Sequence, residues 1–227
     1  MTQTNQPATL ATASKPVIGI FGGTFDPIHL GHVQCAMQVH QQCQLEHVRL
    51  MPCHLPPHRA TPGVSAQQRA EMVQLAIARH PELQLETLEL KQHRPSYTAI
   101  SLQQLQQQYP EYKLAFIMGM DAFNNFTHWH RWQAILHCAD VIVCQRPQYN
   151  ELSAASQALL ASHQVMDVTQ LHQSQPGQIL VLDNPLHPSS ATELRRQLAS
   201  QQTRPAGLAQ SVWNYIQQHQ LYRSTPK

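Results

Sequence analysis

The sequence predicts an α/β protein built on a Rossmann-like, doubly wound parallel sheet. Strand-like and helix-like segments alternate along the chain, and the central strand segments, residues 114–118 (LAFIM) and 140–144 (DVIVC), are apolar runs apart from Asp140 at the start of the second. Helices on both faces of a parallel sheet bury both sides of every strand, so its central strands lose the apolar–polar alternation of a half-exposed sheet. In addition, a glycine pair, Gly22-Gly23, directly follows the first strand segment, where sheets of this kind place a ligand-binding turn.

Residues 15–21 (KPVIGIF) form a short β-rich run ended by Gly22 and Gly23, which reads as a buried strand and a tight turn. Residues 30–43 carry helical periodicity. Residues 48–51 read as a second strand stopped by Pro52, and residues 52–64, with four prolines and one glycine, as a loop. Ser65 is placed to cap a helix running to about residue 80. Residues 83–90 alternate as a strand, and a helix follows over 97–108. The apolar strand 114–118 ends at Gly119, a helical stretch covers 121–137, and the next strand is 140–144. Residues 146–177 read as an excursion: a helical segment over 151–162, a β-like piece around 165–168, and a Gln/Pro/Gly loop. The last strand is expected at 179–182, a helix with Ser and Thr at its start over 190–199, and an amphipathic helix using Val212, Tyr215 and Ile216 over 208–218. The expected organisation is one domain over residues 15–227 with a small C-terminal helical part, preceded by a polar, disordered extension over residues 1–14. No internal repeat is visible.

Composition narrows the function classes. A chain of 227 residues with 42% hydrophobic residues can bury a sizeable core without staples. Only 12% of residues are charged and the net charge is +2, so the clustered Lys and Arg that duplex nucleic acid demands are missing, although a local basic pocket for a few phosphates is compatible. Five cysteines at irregular spacing, with no C-x-x-C, argue for reduced thiols rather than a disulfide framework or zinc site. No apolar run approaches the ~20 residues of a membrane helix, and residues 1–14 lack the apolar core of a signal peptide. The expectation is a soluble, cytoplasmic protein with no nucleic-acid or membrane partner; a homo-oligomer is compatible with the sequence.

Two motifs carry chemistry. The first is Gly22-Gly23-Thr24-Phe25-Asp26-Pro27-Ile28-His29-Leu30-Gly31-His32, between the first strand and its helix. The glycines let the backbone approach a phosphate, and the helix start offers free N–H groups. His29 and His32, three apart, can present both rings on one side of a helical turn. Together they form a cradle for negative charge that grows in a transition state. The stretch is neither G-x-G-x-x-G nor a P-loop, because no G-K-[ST] follows. The second motif is Ser189-Ser190-Ala191-Thr192-Glu193-Leu194-Arg195. Hydroxyls at a helix start and a forked guanidinium suit phosphate oxygens. Alone it would read as ordinary capping with a surface Arg.

GGTFDPIHLGH resembles the [TG]xFDPxHxGH signature of the HxGH nucleotidyltransferase superfamily, and the second motif resembles its ISSTxIR segment, with Ala191 and Leu194 as departures. Over about residues 17–223 the chain is similar to bacterial nicotinate-mononucleotide adenylyltransferases. Pro56-Pro57-His58-Arg59 resembles their PPH[KR] loop, Pro95-Ser96-Tyr97-Thr98 their PSYT segment, Gly119-Met120-Asp121 their GxD, and Cys144-Gln145-Arg146-Pro147 their C[RK]RP segment. Trp129 matches their pyridine-stacking tryptophan. Cys53 stands after Pro52 where that family often has Asn.

The resemblance implies transfer of AMP from ATP to nicotinate mononucleotide, giving nicotinate adenine dinucleotide and pyrophosphate in NAD synthesis, with Mg²⁺ carried on ATP. It implies catalytic roles for His29, His32 and Arg195. ATP contacts would come from Gly22, Gly23, Thr24, Phe25, Gly119, Asp121, Ser190 and Thr192. The mononucleotide would meet His58, Tyr97, Thr98, Trp129 and Arg146, and no residue is implied as a metal ligand. Two alternatives stay open: the same chemistry on nicotinamide mononucleotide or phosphopantetheine, and a nucleotide-binding regulatory module without turnover. Taken singly, Asp121 also reads as a helix cap and Trp129 as a core anchor.

Overall fold

The computed structural model describes residues 15–55, 63–92, 95–145, 152–183, 189–200 and 203–223. Its frame is one seven-stranded sheet in the order β3-β2-β1-β4-β5-β7-β6, with every neighbouring pair parallel. The strands are β1 (Val17–Gly23), β2 (Val48–Pro52), β3 (Leu83–Leu85), β4 (Lys113–Gly119), β5 (Ala139–Gln145), β6 (Gln164–Val165) and β7 (Ile179–Asp183). The predicted doubly wound sheet is therefore the observed one. The apolar run of β4 is buried from Leu114 to Met118, and β5 from Ala139 to Cys144, as central strands covered on both faces require.

Helices α1 (Leu30–Gln42), α2 (Ala66–Ile77), α8 (Ala191–Ser200) and α9 (Gln210–Gln218) cover one face. Val33, Ala36 and Val39 of α1 and Met72 and Val73 of α2 pack there with Leu194, Leu198, Val212 and Ile216. The other face is covered by α3 (Thr98–Gln108), α4 (Met120–Phe123), α5 (Trp132–Cys138) and α6 (Ala154–His163), through Leu102, Leu105, Phe123, Ile135 and Leu159. Ser65 caps α2, its hydroxyl accepting from the Gln68 N–H at 3.2 Å.

The chain leaves β1 toward β2 on one side of the sheet and reaches β4 on the other. The connections diverge there, and in such sheets the crevice at that reversal is where ligands bind, beyond the carboxyl ends of the strands. The opposite, amino end is locked by an ion pair: Lys113 Nζ lies 2.6 Å from Asp140 Oδ2 and also donates to the carbonyls of Leu171 (2.6 Å) and Ser174 (2.9 Å).

Three expectations change. The strand expected over 83–90 ends at Leu85. Buried Glu86 turns the chain by accepting from Arg49 Nε (2.9 Å), Tyr109 Oη (3.0 Å) and the Leu88 N–H (3.0 Å), and a 3₁₀ turn, Leu88–Lys91, follows. The helical stretch expected over 121–137 breaks into α4, a 3₁₀ turn at Phe126–His128, and α5, entered through Arg131 in a left-handed conformation (φ 52°). The break falls at Asn124-Asn125, where the Asn125 amide donates to the Asp121 carbonyl at 3.0 Å and competes with helix continuation. Finally, of the β-like piece around 165–168 only Gln164–Val165 is strand; it joins the main sheet at its edge, and Val168 opens α7 (Val168–Gln173). The expected extension, residues 1–14, lies outside the described residues.

Candidate active site

The carboxyl ends of β1 and β4 open into a cleft of about 760 Å³. The β1–α1 turn lines it with Gly22, Gly23, Thr24, Phe25, His29 and His32. The start of α3 adds Tyr97 and Thr98, and the end of β4 adds Gly119 and Asp121 with Trp129 beyond. The start of α8 brings Ser190, Thr192 and Arg195 from the far end of the chain. His58 and Arg146 lie outside the described residues.

The β1–α1 turn is tightly built. Phe25 adopts a left-handed backbone (φ 48°) and is buried, with a ring 5.1 Å from that of His32, edge-on. A Cβ on Gly23 would sit 2.9 Å from the Phe25 ring, so only glycine fits beside it. Phe25 therefore shapes the floor through its ring's packing. The imidazoles of His29 and His32 stack, centroids 3.6 Å apart and planes 23° apart. The His29 backbone N–H donates to His32 Nδ1 at 3.3 Å, an arrangement that assigns the acceptor role to Nδ1 and leaves Nε2 as the donor of a neutral ring.

Two buried polar groups hold this turn, and neither was among the expected site residues. Arg69, on α2 and only 1% exposed, donates to the carbonyls of Thr24 (2.5 Å), Cys53 (2.7 Å) and His54 (3.2 Å). It thereby ties the loop after β1 to the loop after β2. Its signal was present in the sequence: Arg69 shares the helical face of Met72, Val73 and Ile77, where every other side chain is apolar. Asp26 is the second, and its carbonyl accepts from Arg195 Nη1 at 2.7 Å. Arg195 Nη2 in turn donates to Thr192 Oγ1 at 3.2 Å, which fixes the guanidinium in front of the α8 start.

At the β4 end, a Cβ on Gly119 would meet Asp121 Oδ1 at 2.8 Å, so the glycine gives the exposed Asp121 carboxylate room to fold back over the strand end. Trp129 is half-buried, its ring 6.1 Å from Phe116 and 5.8 Å from Phe126. It stands in the cleft wall rather than inside the core. Exposed His130, also missed, lies against Tyr97 with ring centroids 4.5 Å apart. Cys53 lines the cleft too, and burial pushes its thiol above the ordinary value, so at neutral pH it offers a weak S–H donor at most.

This arrangement can cradle a polyphosphate between the histidine pair and the α8 start, with flat aromatic groups on the opposite wall. Among the described residues no group of three or more His, Cys, Asp or Glu could hold a metal ion. No helix among them is long and apolar enough to cross a membrane.

Fold and cleft together define a nucleotidyltransferase-type α/β protein, and the model of the cytidylyltransferase-like family matches residues 20–197. A relative from Cellvibrio japonicus, named a probable nicotinate-nucleotide adenylyltransferase, is 44% identical over 92% of this chain and 100% of its own length. One of the same name from Aeromonas hydrophila is 43% identical over 92% of this chain and 98% of its own. The solved structure of Plasmodium falciparum nicotinic acid mononucleotide adenylyltransferase complexed with NaAD shares the fold, with TM-score 0.69 and 16% identity over 91% of this chain and 97% of that one. The chain belongs to the nicotinate-nucleotide adenylyltransferase family.

Proposed function

We propose that this protein transfers AMP from ATP to nicotinate mononucleotide, releasing pyrophosphate and forming nicotinate adenine dinucleotide. The observation that carries this reading is the meeting, in one cleft, of the stacked His29–His32 pair with Ser190, Thr192 and Arg195 from the other end of the chain. The acceptor reading is supported by the relatives, which are named for nicotinate nucleotide and are matched over 100% and 98% of their own lengths.

In this reading a phosphate oxygen of the mononucleotide attacks the α-phosphorus of ATP in line and pyrophosphate leaves. A phosphate monoester is already largely ionised at neutral pH, so the chain need supply no strong base. Its work is positioning and charge stabilisation. His29 and His32 donate to the triphosphate where charge grows, with Thr24 and the backbone of Gly22 and Gly23 beside them. Ser190, Thr192 and Arg195 hold the departing phosphates. Gly119 and Asp121 receive the adenosine, and Tyr97, Thr98 and Trp129 the pyridine ring. Roles for Phe25, His58 and Arg146 complete the set that the family resemblance implies. A divalent cation entering with the nucleotide would neutralise charge on the phosphates in nucleotidyl transfer of this kind. We assign that role to Mg²⁺ entering with ATP, since among the described residues no group of three or more His, Cys, Asp or Glu could hold a metal ion. The reaction would take place in the cytoplasm and needs no nucleic-acid partner.

The deciding assay is pyrophosphate release from Mg-ATP with nicotinate mononucleotide and nicotinamide mononucleotide as parallel acceptors. A preference for the acid of about tenfold or more is expected. Preference for the amide moves the protein to that acceptor, and ATP binding without release on any acceptor leaves a nucleotide-binding module. For the pyridine wall, Trp129→Ala should raise KM for the mononucleotide about tenfold, the scale of one lost aromatic contact, with KM for ATP little changed. Equal changes in both would make Trp129 a structural residue.

A further inference from the structure

We propose that Tyr222 is a positioning residue for phosphate binding in the cleft: by holding the Asp26 carboxylate, it keeps the Arg195 guanidinium available to phosphate. The proposal rests on the reading of Arg195 as a phosphate ligand. Tyr222 does not line the cleft, and it lies beyond residue 197, where the family model's match ends.

The segment after α9 is shaped to bring this one side chain back to the β1–α1 turn. The Leu221 N–H donates to the Ile216 carbonyl (3.0 Å) and the Gln220 N–H to that of Gln217 (3.2 Å). Gln220 and Tyr222 both take left-handed backbone conformations, φ 53° and 62°, which a non-glycine residue holds only where its surroundings fix it. Leu221 and Tyr222 pack against the buried cluster of that sheet face. A second tie lies nearby: the Leu30 N–H, first in α1, donates to the Gly207 carbonyl at 2.9 Å. The C-terminal segment is thus seated on the turn at two points.

The Tyr222 hydroxyl donates to Asp26 Oδ1 at 2.6 Å. Burial, then the Asp26 charge, pushes its pKa well above the ordinary tyrosine value, so it remains a donor throughout the working range. Asp26 is 8% exposed. Its Oδ2 lies 3.9 Å from Arg195 Nη1, while that same nitrogen donates to the Asp26 carbonyl at 2.7 Å. The guanidinium is therefore anchored on a neutral carbonyl and only approached by the carboxylate. Among the described residues the cations acting on this corner are Arg195 and Arg69, and Arg69 is committed to three carbonyls. Without the tyrosine hydroxyl, the desolvated carboxylate would close on Arg195 and neutralise the charge that phosphate needs.

The test is a double-mutant cycle with Tyr222→Phe and Arg195→Ala, read by kcat for pyrophosphate release and by calorimetric binding of inorganic pyrophosphate. Tyr222→Phe should lower kcat and weaken pyrophosphate binding about five- to twentyfold, the range of coupled neighbours, with KM for the mononucleotide within about twofold. In the Arg195→Ala background the same change should have almost no effect. Adding Asp26→Asn to Tyr222→Phe should restore pyrophosphate binding, since the competing charge is gone. That double variant, with no buried unpaired carboxylate, also serves if Tyr222→Phe alone folds poorly by circular dichroism. No loss in Tyr222→Phe, an equal loss with and without Arg195, or no restoration by Asp26→Asn would each overturn the proposal. A wild-type protein that releases no pyrophosphate on any acceptor would instead defeat the proposed function, and the calorimetry would still decide the role of Tyr222.

Discussion

Replacing His32 by alanine is expected to lower kcat on the order of 10²-fold or more, the usual effect of losing one preorganised donor at a developing charge. His32 is held from three sides: by the His29 ring at 3.6 Å, by the Phe25 edge at 5.1 Å and by the His29 N–H on Nδ1. That support holds the ring in one orientation, so it can act without reorganising. The ring lies at the cleft wall and not in the core, so the melting temperature should stay close to that of the wild type. Single-turnover pyrophosphate release beside a circular-dichroism melt measures both quantities. Near-normal turnover, or an unfolded variant, would remove His32 from the mechanism.

Lys113→Met should have the largest effect on stability, a loss of about 3–5 kcal/mol at neutral pH, because it leaves a buried charge without its partner. Asp140 is fully buried, and burial already raises its pKa against the opposing pull of Lys113. Removing Lys113 raises it further. A carboxyl whose folded pKa exceeds its unfolded value of about 3.9 contributes its stability in full below that value and loses it as pH rises through the folded pKa. Wild type and variant share the loss up to the wild-type folded pKa, so the penalty of Lys113→Met should grow as pH rises through that pKa and level off above the further raised pKa of the variant. Urea midpoints of wild type and variant at several pH values test this, and a penalty that does not vary with pH would mean that Asp140 is not its source.

What the sequence made legible was local. The apolar runs of β4 and β5 located the centre of the sheet, and the three-residue spacing of His29 and His32 placed their rings side by side because one turn of α1 decides it. The histidine pair and the α8 start could be brought to a common cleft from sequence because parallel sheets of this class put the carboxyl ends of their strands on one side. Arg69 left a trace, a charge on an apolar helical face, that could have been followed. Tyr222 left none: its contact with Asp26 spans 196 positions, and nothing near a tyrosine in the sequence says which carboxylate it will meet. The overlong strand at 83–90 and the unbroken helix at 121–137 failed for a common reason. In both, periodicity continued where side chains, those of Glu86 and Asn125, captured the backbone or its neighbours and turned the chain.

The direction of β1 and the seat of Tyr222 also decide how this protein can be tethered. Val17 begins β1 at the amino end of the sheet, and Gly23 ends it at the cleft, so a fusion ahead of Lys15 joins the chain on the side away from the substrates. A fusion after Arg223 joins it next to the tyrosine that touches Asp26. Immobilisation, fluorescent labels and affinity handles should therefore be attached at the front of the chain. If Tyr222 positions Arg195 as proposed, a handle joined directly after Arg223 should weaken phosphate binding before it lowers the melting temperature.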